Sequence, residues 1–105
     1  MGNKVTTKEE IINRIVNERD KLASFGVVGI GLFGSFVRGE QTSSSDIDIL
    51  IEFEREKHTF DNFMEVSFLL EDLLGRKVEV VTPEGLSPHI GPHILKEVEH
   101  VPFAA

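Results

Sequence analysis

The chain has 105 residues, with 18 Asp and Glu against 11 Lys and Arg, for a formal net charge of −7. Such a length fits one small domain spanning 1–105, and a 40% hydrophobic content is enough for one packed core, which excludes intrinsic disorder. No apolar run reaches the roughly 18 residues that a bilayer span requires, and the acidic balance disfavours direct binding to nucleic acid phosphates.

The N-terminus lacks the apolar stretch of a secretory signal, and the chain has no Cys, so a reducing cytoplasm is the expected location. Gly2 with Thr6 also matches the short N-myristoylation pattern. Thr7-Lys8-Glu9-Glu10 reads as a capping box that opens an amphipathic helix over about residues 7–24, with Ile11, Ile12, Ile15, Val16, Leu22 and Ala23 at helical spacing. Phe25-Gly26 supplies its stop. Val27–Phe33 is a short apolar run bounded by glycines and is predicted to be a buried strand ending at Gly34-Ser35. Residues 40–45 are polar and turn-like, and residues 46–53 form a second predicted strand. A charged loop over 54–58 leads to a helix over 60–74 that stops at Gly75, followed by a third strand over 77–82. Pro83, Gly85, Pro88, Gly91 and Pro92 interrupt the next segment, and a last short helix is expected over 93–99, with Pro92 at its first position. The expected architecture is α/β: a small mixed sheet of three to four strands flanked by helices.

Three segments carry candidate chemistry. In a strand, residues two apart point to one face, so Asp46 and Asp48 project together about 7 Å apart at Cα, while Ile47, Ile49 and Ile51 take the buried face. Two aligned carboxylates are unfavourable unless a cation lies between them, and oxygen donors are what Mg²⁺ prefers. Read alone, Ser45 and Asp46 could equally cap a turn. Gly34-Ser35 ends a buried strand with a residue that tolerates close approach and a hydroxyl suited to phosphate, or else forms an ordinary turn with Ser35 as N-cap. Arg38, one turn on, could reach a phosphate or hold the acidic loop. Glu79 lies between valines and either faces solvent or joins Asp46 and Asp48 if the second and third strands are neighbours.

The set Gly34-Ser35-x-x-Arg38-Gly39, Ser45-Asp46-x-Asp48 and an acid in the next strand resembles the signature of the DNA polymerase beta-type nucleotidyltransferase superfamily. The small size and the order of elements resemble, more narrowly, the minimal nucleotidyltransferases that act as antitoxins in HEPN/MNT toxin–antitoxin pairs. The resemblance implies a nucleotidyltransferase fold in which Gly34 and Ser35, with Arg38 and Ser45 nearby, hold ATP. It also implies that Asp46, Asp48 and Glu79 bind one or two Mg²⁺ ions, with Glu79 helping to deprotonate the attacking hydroxyl. Glu79 is one methylene longer than the Asp usual at this position. The implied reaction transfers AMP to a tyrosine of a partner HEPN toxin in a hetero-oligomer, because so short a chain has no domain of its own for the acceptor. A second reading is a non-catalytic antitoxin that neutralises its partner by contact alone. The helix over 60–74 supports a partner independently: its apolar residues spread beyond the roughly 100° stripe that one core needs, so some are expected at the surface.

Two rival motifs fail on context. Gly29-Ile30-Gly31-Leu32-Phe33-Gly34 has the dinucleotide-binding spacing, but its glycines lie within a strand that follows a helix. His89 and His93 have the i,i+4 spacing of a zinc site, but Gly91 and Pro92 separate them and no Glu follows His89.

Overall fold

The computed structural model of the chain describes residues 4–103, so the Gly2 of the acylation pattern lies outside the described residues. The elements are α1 (Lys8–Asn17), α2 (Arg19–Ser24), β1 (Val27–Phe33), α3 (Ser35–Arg38), β2 (Ile47–Phe53), α4 (Phe60–Leu74), β3 (Val78–Val81), α5 (Gly91–Glu97) and β4 (Glu99–His100). Short 3-10 turns at Arg55–Lys57 and Pro83–Gly85 fill two of the connections.

The four strands make one mixed sheet in the order β3-β2-β1-β4. β1 runs antiparallel to both β2 and β4, while β2 and β3 are parallel, as a strand–helix–strand crossover through α4 requires. Ile47, Ile49 and Ile51 all point to one face of β2 and are fully buried together with Ile11 and Ile15 of α1 and Val66, Leu70 and Leu74 of α4. This core is an apolar layer between the sheet and two helices, and the opposite face of β2 carries Asp48, buried Leu50 and Glu52.

The N-terminal helix is two helices rather than one. Glu18 departs from helical dihedrals (φ −109°, ψ 16°) and separates α1 from α2. Residues 17–20, Asn-Glu-Arg-Asp, carry no apolar side chain that could hold this turn against the core, and packing supplies most of a helix's stability. Thr7 caps α1 by accepting from the Glu10 N–H at 3.2 Å. The return bond lands one residue earlier than a standard capping box, with the Thr6 N–H donating to the Glu10 carboxylate at 3.1 Å. The Thr6 hydroxyl, which donates to the same carboxylate at 2.7 Å, and then this N–H hold the Glu10 carboxyl below the usual carboxylate range.

The C-terminal end also differs from expectation. α5 spans residues 91–97 rather than 93–99, and the residues after it pair with β1, Gly31 opposite His100 and Leu32 opposite Glu99. Val98 is extended (φ −59°, ψ 136°), and Val101 is buried, donating its N–H to the Ile30 carbonyl at 2.9 Å. Burying a valine at an open sheet edge outweighs one further helical turn. Ending the helix early therefore supplies the fourth strand.

On α4 the buried stripe is Val66, Leu70 and Leu74, whereas Phe60 and Phe68 are 76% and 59% exposed. Some apolar residues of this helix thus lie at the surface, as its sequence predicts, while Leu69 and Leu73 pack against the core. Among the described residues no helix is long and apolar enough to cross a membrane.

Candidate active site

Glu79 is the register partner of Asp48 across the parallel β2–β3 pair. Neighbouring strands lie about 4.8 Å apart, so the two carboxylates rise side by side from the same face. Both line a cavity of about 520 Å³, together with Gly34 and Arg38. Its far wall comes from the segment after β3: Leu86, Ile90 and Ile94 are apolar, and Glu97 closes α5. β2 and β3 are thus neighbours and Glu79 stands beside Asp48, although it is itself exposed to solvent.

Gly34 is fitted to this position. Its backbone (φ 80°, ψ −155°) is one that side chains rarely adopt, and a Cβ there would overlap the Asp48 carboxylate. The strand end therefore presses on Asp48 with bare backbone, as no other residue could. Gly34 also occupies the N-cap position of α3, so Ser35 is the first helical residue and not the cap.

Burial holds the Asp48 carboxyl above its ordinary range, and repulsion from Glu79 and then Asp46 adds to the shift. Among the described residues none of these three acids forms an ion pair with Lys or Arg. Nor does any group of three or more His, Asp or Glu form a preassembled metal cluster. An oxygen-only donor set whose negative charge the nearby Arg38 offsets only in part fits Mg²⁺, which takes one or two protein carboxylates and completes its shell with substrate phosphate.

Asp46 and Ser45 sit outside the main cavity, in a neighbouring hollow lined also by Ser43, Ser44 and Arg76. Asp46 is exposed, at the turn that leads into β2. The Ser45 hydroxyl accepts from the Thr42 N–H at 2.8 Å, so it organises the 40–45 loop. Arg38 touches protein on two sides, donating to Glu40 at 2.8 Å and to Glu97 at 2.7 Å.

Sequence reasoning missed Arg76. It is 8% exposed, and it donates to the Val5 carbonyl at 2.6 Å and to the carbonyls of Thr42, Ser43 and Ser45 at 3.2, 3.2 and 2.9 Å. Its guanidinium also lies 5.1 Å from the Phe36 ring centroid. This buried cation gathers the carbonyls of the loop immediately before Asp46 and so positions the start of β2. Its only sequence signal is its place between Gly75 and Lys77, which names no partner.

Residues 10–101 match the nucleotidyltransferase domain family. The chain is 42% identical over 96 residues to the protein adenylyltransferase MntA of Thermococcus cleftensis, covering 90% of this chain and 96% of that one. The fold is similar to a solved candidate minimal nucleotidyltransferase, with a TM-score of 0.69, 32% identity, and coverage of 84% of this chain and 93% of the other. It is also similar to a chain of a toxin–antitoxin crystal structure with AMP-PNP, with a TM-score of 0.64, 26% identity, and coverage of 86% and 71%. With Asp48 and Glu79 facing the Gly34 turn across one cavity, this chain belongs to the nucleotidyltransferase family and is an enzyme of its small, single-sheet type.

Proposed function

We propose that this protein is a Mg²⁺-dependent protein adenylyltransferase that moves AMP from ATP to a tyrosine hydroxyl of a partner HEPN-family toxin, acting as its antitoxin. One observation carries the reading: Asp48 and Glu79 are register partners on adjacent strands, facing the bare backbone of Gly34 in one cavity. The similarity to a named protein adenylyltransferase and to a toxin–antitoxin component supports the protein acceptor and the partner.

In this mechanism Gly34 and Ser35 approach the triphosphate with backbone and hydroxyl, and Arg38 supplies a cation at the cavity wall. Asp48 and Glu79 in the cavity, with Asp46 at the turn before β2, are the residues that would hold Mg²⁺. When bound, the ion neutralises charge on the phosphates and on the departing pyrophosphate. The acceptor oxygen attacks the α-phosphorus as the bond to the β-phosphate oxygen breaks, and the hydroxyl proton passes to the Glu79 carboxylate. Pyrophosphate leaves and AMP stays as an ester on the acceptor. Most of the acceleration comes from holding the reactants in line, since the residues themselves form no covalent bond.

The chain contains no Tyr, so a tyrosine acceptor must belong to another molecule. Phe60 and Phe68 on α4 offer exposed apolar surface to such a partner. Purified protein, ATP, Mg²⁺ and the partner toxin, with the toxin weighed by mass spectrometry, test the reading. The expected result is a gain of AMP mass that is lost with Asp46→Ala. No gain, or an equal gain with that variant, overturns it.

A further inference from the structure

Arg38 is the one cation among the described residues lining the cavity, and its two ion pairs come from different parts of the chain. Nε donates to Glu40, two residues on in the turn after α3, while Nη1 donates to Glu97, 59 positions away at the end of α5. Two carboxylates on different nitrogens of a planar fork define the plane of the guanidinium. Of the five N–H groups an arginine carries, the second on Nη1 and both on Nη2 have no partner among the described residues. Glu97 also lines the cavity, and its side chain is the less exposed of the two carboxylates, 24% against 67% for Glu40.

The geometry points to Glu97 as a positioning residue: it holds Arg38 at the cavity wall with an open N–H edge for the triphosphate of a nucleotide, so that the end of α5 sets nucleotide affinity. The inference rests on the nucleotide-binding reading above. A triphosphate can engage the open edge without displacing Glu97. Without Glu97, Arg38 is tethered only to its close neighbour Glu40, and the long side chain regains rotamer freedom at a half-exposed site.

Equilibrium binding of α,β-methylene-ATP with Mg²⁺ to the full chain, followed by calorimetry, tests this. Glu97→Gln is expected to weaken binding about tenfold and, in transfer assays, to raise KM for ATP while leaving kcat unchanged. In an Arg38→Ala background the same change should have no further effect, because residues that act as a unit are not additive. Lys8→Gln, which removes the ion pair between α1 and Glu99 outside the cavity, is the matched control and should leave affinity unchanged. Wild-type affinity or tighter in Glu97→Gln, additivity with Arg38→Ala, or equal weakening by Lys8→Gln would each overturn the inference alone. Failure of the wild-type chain to bind the analogue overturns the functional reading and this inference with it.

Discussion

The two faces of β2 are built from one seven-residue strand and end in opposite conditions. On one face Ile47, Ile49 and Ile51 are fully buried beneath α1 and α4, and each such side chain stabilises the fold by about 1.5–3 kcal/mol. On the other, Asp48 is held half-buried beside Glu79, with its carboxyl disfavoured in the charged form. The strand's period of two puts the isoleucines on one face and Asp48 on the other, where buried Leu50 is its neighbour two residues on. A strand so firmly packed on one side can keep repelling carboxylates in place on the other.

Asp48→Asn should break this contrast most sharply. With Asp48 in its proposed role, AMP transfer is expected to fall about a thousandfold or more, since the charge stabilisation that a metal ligand supports is worth several kcal/mol. The same variant should melt higher than wild type at pH 7. Because the folded-state Asp48 pKa is raised, the native state binds that proton more tightly than the unfolded chain does. The wild type therefore loses stability as pH rises through the carboxylate range, and the advantage of Asn should fade as pH falls below it. Thermal melts across pH check the sign, and a lower melting temperature for Asn at neutral pH would contradict it.

Ile49→Ala attacks the other face of the same strand. A loss of about 2–5 kcal/mol is expected in denaturant titrations, from lost burial and the cavity left behind. Any residual folded fraction should keep its nucleotide affinity if the two faces are as separate as the packing indicates. Gly34→Ala, expected to cost about 1–3 kcal/mol through backbone strain, joins the faces, because its Cβ would push directly on Asp48. It should lower both stability and transfer rate, whereas Ile49→Ala lowers stability alone. Thr7→Ala lies on neither face and sets the baseline. Loss of the α1 cap should cost about 1 kcal/mol with no change in KM.

Much of this contrast is legible in the sequence. Alternation over residues 46–53 assigns the isoleucines and Asp48 to opposite faces, although β2 starts only at Ile47 and leaves Asp46 in the turn before it, and the glycines mark where β1 ends and α4 stops. The Glu79 position is not legible, because strand adjacency depends on how α4 crosses over, and a valine–glutamate–valine run fits either a neighbour or an edge. The kink at Glu18 and the β4 strand escape periodicity for a related reason. Each is decided by what the rest of the fold offers the segment: a polar turn with nothing to grip, and an open sheet edge with room for Val101. Arg38 could be placed near the site from its spacing, but its second partner, Glu97, lies 59 residues away and carries no pattern that links them.

The clamp formed by Arg76 has a consequence for the order in which the protein is made. Its Nε bond reaches back 71 residues to Val5, whose own N–H meets the Leu74 carbonyl at 3.0 Å. A nascent chain exposes Asp46 and Asp48 well before it exposes the guanidinium that secures the loop leading into them. Such long-range closure comes late in folding. During synthesis the acidic strand is thus available before its surroundings are, and competence for chemistry is acquired only when the two halves of the chain have met.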